Sequence, residues 1–462
     1  MKQISKTNEA MVFALPTHAL IDEKLEEYSQ FSSREFFRTL KRPTLPEPYE
    51  SALQKYERAL NFKERTEVFK KFKQNYNGDD RSEIIKNIIE YEQNYIDLPN
   101  HDLVMTTHSK LLCHPELSEK IKTVVVDENI FLKCITVEDI SPNDLIYFSS
   151  KFSYTDSEEE DEKIFKLLES LRICRDGQVI ILSDDDRKLL KKVFSTFSID
   201  EIANSDNSIG CIKLTNSNFF TYSSYSRTYK SITINNLDKQ YNYLILTADN
   251  LTNLIKSFVD SNDMVNNKLS THDKQTVVKQ FTKRSYSRSN IKKSDMLDKI
   301  TKFVISAEYD AVISYKFVCV HLEKTVPTNT DVPIETMSFG NTVGSNRLNN
   351  KKKILIIGTP FPDISTFNFL MKVKYSNFEI IDFEDEFEKR KVRYNNCDFS
   401  VFVPVSMKSE YIDDYCEYIY NELNQSIGRI RPLSNLNSEL HIMSNFILDK
   451  SIVDEYDDEF EI

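Results

Sequence analysis

At 462 residues the chain exceeds one ordinary hydrophobic core and is expected to fold as about two to four domains. Its 40% hydrophobic and 29% charged residues fit a globular protein, and no run approaches the roughly 20 apolar residues that span a bilayer. A net charge of −12 excludes a particle that binds polyanions over its whole surface, but not one with a local basic track.

Residues 1–10 lack the apolar core of a signal peptide, and the seven cysteines are scattered without a C-x-x-C pair. An intracellular, reducing setting is expected, with no disulfide framework and no structural zinc.

Along the chain, short apolar runs alternate with longer helical stretches. Met11–Leu15 (MVFAL), Lys122–Val126 (KTVVV), Gln178–Leu182 (QVIIL), Tyr243–Leu246 (YLIL), Ala311–Val320 and Lys353–Ile357 (KILII) read as strands buried on both faces of a sheet. This alternation predicts an α/β fold with parallel sheets, whose ligands bind beyond the strand ends. Residues 26–100 are charged and helical in period. Residues 131–240 hold an acidic run, Ser157–Glu162, and a Ser/Tyr/Asn-rich stretch. Both segments are expected to be insertions. Residues 279–303 carry eight Lys/Arg against two Asp and read either as a solvated linker or, with Phe281 and Tyr286, as a phosphate-backbone track. The acidic end, from Asp454, is expected to fray.

Two segments carry the chemistry. The strand Val124-Val125-Val126 ends in Asp127-Glu128, which places two carboxylates at a sheet rim. In nucleotide hydrolases such a pair holds Mg²⁺ through water and polarises the attacking water, although strands ending in acidic residues are common. The second segment, Gln425-Ser426-Ile427-Gly428-Arg429-Ile430-Arg431, sets two permanently charged guanidinium groups beside a glycine. They suit the charge that develops on a phosphoryl group. The alternative is a solvated basic helix end.

In this order the two segments resemble motifs II and VI of superfamily 2 helicases. Further pieces resemble the same family. Phe13–Leu20, with Pro16, Thr17 and His18, is similar to motif Ia, and Val104–Leu112, with Thr107 and His108, to the segment before motif II in the XPD/DinG-like branch. Leu244–Asp249, with Thr247, resembles motif III, and Val312–Lys316 motif IV. Phe339–Asn346, with Gly344 and Asn346, followed by Ile354–Pro360, resembles the motif V region. The motif set also suits a viral or mobile-element replicative helicase.

The resemblance implies two RecA-like domains, the first carrying the helical and mixed insertions. It implies ATP and Mg²⁺ as cofactors. Asp127, Glu128, Gln425, Arg429 and Arg431 would be catalytic, and Asp127, Gly344, Asn346 and Gly428 would bind nucleotide. Nucleic acid, chiefly single-stranded DNA, would contact Pro16, Thr17, His18, Thr107, His108, Thr247, Lys283, Arg284, Lys292 and Lys293. The first gap contains no cysteine, so the iron–sulfur cluster of that branch is not expected.

The sequence also departs from the family. Asn129 and Ile130 stand where Ala-His is usual, and Pro432 where a second motif VI arginine is common. None of the seven glycines (Gly78, Gly177, Gly210, Gly340, Gly344, Gly358, Gly428) precedes Lys-Ser or Lys-Thr, so the phosphate-binding G-x-x-x-x-G-K-[ST] loop is expected to be absent. The expected layout is domain 1 over 1–278 with insertions at 26–100 and 131–240, a linker at 279–303, domain 2 over 304–450 and a tail at 451–462. The leading expectation is a fragment or split form of an ATP-dependent helicase, with a separate loop-bearing polypeptide or replication proteins as its partners. The alternative is a helicase-derived binding protein without catalysis.

Overall fold

The computed structural model describes residues 9–30, 35–59, 65–113, 115–127, 130, 134–152, 157–176, 178–224, 226–246, 276–293, 295–326, 334–339, 348, 351–375, 386–428 and 438–459. The chain divides into two units, the first Met1–Leu246 with Lys372–Ile380, the second Thr247–Met371 with Ile381–Ile462.

In the first unit, Met11–Leu15 (β1), Phe37–Arg38 (β2), Leu103–Thr107 (β3) and Thr123–Asp127 (β4) come first. Four strands of an insertion follow, Ile135–Ile140 (β5), Val179–Ile181 (β6), Phe219–Ser223 (β7) and Thr228–Ile234 (β8), and then Asn242–Leu246 (β9). The main sheet has the order β2-β3-β1-β4-β9, with every pair parallel. Parallel neighbours need long crossovers, and the stretches between these strands supply them. β1 and β3 are buried at every residue, as expected of strands covered on both faces. On one face Met11, Phe13, Leu15, Met105 and Val125 pack with Leu20, Ile21 and Tyr28 of the helix His18–Ser29.

The two expected insertions pack as one body. Buried Leu53, Tyr56, Phe69 and Phe72 from the first share a core with Phe148, Leu168, Phe194 and Phe220 from the second. The Lys55 ammonium bridges them, donating to the carbonyls of Ala203 (2.8 Å) and Ser205 (2.7 Å). The second insertion holds an antiparallel sheet, β5-β8-β7-β6. Its helices start on capping boxes at Ser141/Asp144, Ser183/Asp186 and Ser198/Glu201, each of which satisfies orphan backbone donors. The acidic run is the first turn of the helix Glu158–Arg172, capped by Ser157, where negative charge meets the positive helix end. Gln178–Leu182 does not join the parallel sheet. Its β6 is an outer strand of the antiparallel one, with Ile181 60% exposed.

The second unit contains Val277–Phe281 (β10), Ala311–Ser314 (β11), Glu335–Ser338 (β12), Lys353–Ile357 (β13), Phe387–Tyr394 (β14), Cys397–Pro404 (β15), Glu439–Met443 (β16) and Glu455–Asp457 (β17). Six of them form a parallel sheet, β12-β11-β13-β16-β10-β17, and β14 and β15 form a separate antiparallel hairpin. The α/β expectation with parallel sheets therefore holds in both units.

Three boundaries differ from expectation. The basic stretch 279–303 is not a linker. It begins inside β10, which pairs with β16, and continues through the helices Arg288–Ile291 and Met296–Ser306. Val278 and Gln280 are fully buried between more exposed Val277 and Lys279, an alternation that the averaged charge of the stretch obscures. The division between units accordingly falls after Leu246, not at 278. The acidic tail is not frayed at 454–457. Asp454 accepts from the Val278 amide (2.7 Å), and β17 pairs along β10, with Lys279 beside Asp457 at 3.4 Å. Finally, Ala311–Val320 is a strand only to Ser314. The helix Lys316–Thr325 takes the rest, since an apolar run of that length does not distinguish a buried strand from a buried helix.

Candidate functional site

The carboxyl rim of the first sheet gathers the residues that the motifs had placed apart. β1 and β3 are neighbours, with Leu15 beside Thr107, and each leads through a threonine into a helix. Thr17 accepts from the Leu20 amide and Thr107 from the Lys110 amide, both at 3.3 Å, so each Thr-His pair is a helix start. Asp127 ends β4 on the other side of β1 and is half-buried. Pro16, Thr17, His18, Thr107, His108 and Asp127 thus line one edge. Of these, Pro16 and His108 are buried and Thr17 is exposed.

Burial, followed by repulsion from Lys110 and Arg38, lowers the His18 imidazole to about 4. His18 is therefore neutral at physiological pH, and its Nδ1 is buried without a hydrogen-bond partner among the described residues. It meets a ligand as a neutral donor or acceptor, not as a cation.

Beneath this rim lies a cluster that the motif comparison did not mark. The Lys110 ammonium is buried, donates to the Leu40 carbonyl, and sits 4.8 Å from the Tyr91 ring centroid and 5.5 Å from that of Tyr95. Arg65 lies over the same two rings at 5.6 and 5.7 Å. Burial and then Arg65 pull Lys110 down to about 7, while the ring faces offset part of that cost. Tyr91 and Tyr95 stand one helical turn apart, a spacing visible in the sequence.

The rim of the second sheet is aromatic and basic. Tyr315 follows β11, and its hydroxyl donates to the Thr359 carbonyl at 2.5 Å. Arg288 lies 5.3 Å over the Tyr315 ring, and Lys292 5.5 Å over that of Phe317. Lys283 is exposed and donates to the Glu459 carbonyl (3.0 Å), and Lys293, also exposed, donates to Asn290 (3.1 Å). Arg284 is half-buried. Behind them the turn after β13 is tightly held, with Ser314 Oγ donating to the Ile357 carbonyl and Thr359 bonded to Ser444, both at 2.8 Å.

Gly358 adopts φ +133°, and a β-carbon there would meet Tyr315 at 2.9 Å and Phe339 at 3.0 Å. Gly358→Ala is therefore expected to destabilise the second unit by about 1–3 kcal/mol, read as a lower urea midpoint with an unchanged slope.

Gln425 and Gly428 lie near the end of the long helix Ser409–Gly428, Gln425 buried and Gly428 half-buried. The expected site residues Glu128, Thr247, Gly344, Asn346, Arg429 and Arg431 lie outside the described residues. No described helix is long and apolar enough to cross a membrane.

No protein-family model matches the chain, and no curated protein sequence matches it. Among solved structures, it is similar to an apo structure of XPD at 12% identity and a TM-score of 0.48, covering 96% of this chain and 88% of that one. It is also similar to the yeast DEAD-box splicing factor Prp28 at 11% identity and a TM-score of 0.18, covering 96% of this chain and 65% of that one.

Proposed function

We propose that this chain is the core of an ATP-dependent nucleic-acid helicase or translocase acting on DNA, with its phosphate-binding loop contributed by polypeptide beyond these 462 residues. The observation that carries the reading is the first rim. Asp127 stands at the carboxyl end of β4, two parallel strands from Thr107 and beside the Thr17–His18 turn. A half-buried carboxylate at the end of a parallel strand is a hard oxygen donor of the kind Mg²⁺ takes. Bound Mg²⁺–ATP would supply the phosphoryl-transfer chemistry. Asp127 would hold the metal through water and Glu128 would orient the attacking water, while Gln425, Arg429 and Arg431 would keep the charge-stabilising role that the motif VI resemblance implies.

The edge of the sheet supports the missing-loop part of this reading. Among the described residues β9 is an outer strand, and its burial alternates, leaving Leu244 54% and Leu246 43% exposed. An outer strand presents backbone N–H and C=O groups to which a further strand can add. A strand paired there would end about 10 Å from β4, within reach of Asp127 for a loop that cradles phosphates.

The isolated chain is expected to bind single-stranded DNA in a salt-sensitive way and to hydrolyse ATP at background rate. Adding a polypeptide with an apolar strand and a G-K-[ST] loop, sought in the coding sequence beside this one, should restore DNA-stimulated turnover. Asp127→Asn should then abolish that turnover and leave DNA binding intact. Robust DNA-stimulated turnover by this chain alone would overturn the missing loop. DNA binding with no loop-bearing partner that restores hydrolysis would favour the non-catalytic binding protein.

A further inference from the structure

The hairpin β14–β15 has two unlike faces. A two-residue turn at Asn395-Asn396, with φ of 48° and 62°, closes it, the left-handed geometry that asparagine tolerates best. The inner face is anchored. Phe399, Val401 and Val403 are buried, the Phe399 ring lies 4.8 Å from Phe446, and Tyr394 meets Tyr420 at 5.8 Å. Arg390, also on this face, donates to the carbonyls of Val405 and Met407.

The outer face follows from the pairing register. Lys389 is opposite Phe402, and Arg393 is opposite Asp398, with Lys391 between them and Phe387 at the open end. Lys389, Lys391 and Arg393 are all exposed, and none forms an ion pair among the described residues. Phe387 is 43% and Phe402 37% exposed. Structural needs do not explain large aromatic rings and unpaired cations on a solvent-facing hairpin. Outward side chains along one strand repeat every ~6.8 Å, a spacing on the scale of successive phosphates in an extended single strand. Cations on that repeat, with aromatic rings beside them, form a surface that tracks a backbone and stacks bases without reading sequence.

We propose that the outer face of this hairpin is a binding surface for single-stranded nucleic acid, with Lys389, Lys391 and Arg393 on the phosphates and Phe402 and Phe387 stacking on bases. The choice of ligand rests on the nucleic-acid reading above, and the residues are distinct from those of either sheet rim.

The test is equilibrium binding of a fluorescent oligothymidylate to the full chain across a salt series. The triple variant K389Q/K391Q/R393Q should weaken binding about 10- to 100-fold near 0.1 M salt and reduce the slope of log K against log salt by about 2. Phe402→Ala should weaken it about fivefold or more with the slope unchanged, since stacking releases no counterions. All four positions are exposed, so the variants should keep the wild-type melting temperature. R288Q/K292Q, at the rim of the second sheet, serves as the comparison. Loss of binding in that variant, with the hairpin variants unaffected, would overturn the hairpin proposal while leaving the nucleic-acid reading in place. Failure of the wild-type chain to bind any oligonucleotide would overturn both. Equal binding of duplex and single strand, with Phe402→Ala silent, would overturn the stacking role.

Discussion

Replacing Arg42 with alanine is expected to cost roughly 2–4 kcal/mol and to loosen the whole insertion body, because the change strands a half-buried carboxylate. All five donors of the guanidinium are engaged. Two meet Glu50 at 2.9 Å each in a bidentate pair, Nε and Nη2 meet Glu57 at 2.5 and 3.2 Å, and the fifth reaches the Pro43 carbonyl at 3.1 Å. Arg42 and Glu50 keep only 12% of their side-chain surface exposed. Glu50 also accepts from the Leu45 amide and from Gln54. Lysine cannot reproduce the planar fork, so Arg42→Lys should recover little. R42A/E50Q should recover part of the loss, because it removes the stranded charge. Denaturant unfolding of the three variants decides the matter, and a midpoint for Arg42→Ala equal to wild type would show the network to be inert.

The same network predicts a pH dependence. Burial alone would raise the Glu50 carboxyl, but the hydrogen bonds from Arg42, Leu45 and Gln54 overcome it and hold the group at about 2. A carboxyl depressed in the folded state stabilises the fold fully above its unfolded value near 4.5, and that contribution is lost as pH falls through 2. The acid-induced loss of stability between those values should be smaller in Arg42→Ala than in wild type.

Gln280→Leu is expected to be comparably damaging, at about 3–6 kcal/mol, although it preserves volume. Gln280 is fully buried in β10, and its amide nitrogen donates to the carbonyls of Ser444 (3.1 Å) and Phe446 (2.7 Å). Its oxygen accepts from the Leu448 amide at 3.1 Å. The side chain thereby pins the segment after β16, and leucine would leave three backbone groups unsatisfied at about 1–3 kcal/mol each, less than additively. Gln280→Glu keeps the acceptor and loses both donors, so it should fall between the two and worsen as pH rises. A Gln280→Leu protein that melts like wild type would remove this clamp from the account.

Some of this was legible from residue order. MVFAL and KILII became β1 and β13 at the expected residues, because a strand buried on both faces has no polar position to disguise it. Thr17 could be read as a turn residue at a strand end, and Asp127 as a rim carboxylate, since each depends on its own strand. The hairpin was not legible in the same way. FEKRKVRY reads as a charged segment, and only pairing with CDFSVFVP separates its anchored face from its open one.

The sequence by itself determined that Met11–Leu15 and Lys353–Ile357 are strands and that Asp127 stands at a strand end, because these follow from periodicity over a few residues. Only the tertiary structure decided that β10 and β17 belong to the second sheet, that two insertions share one core, and that β9 is the outer strand of its sheet among the described residues. Those outcomes depend on which apolar surfaces find each other across more than 100 residues. Averaged charge conceals such matches, and local pattern does not encode them.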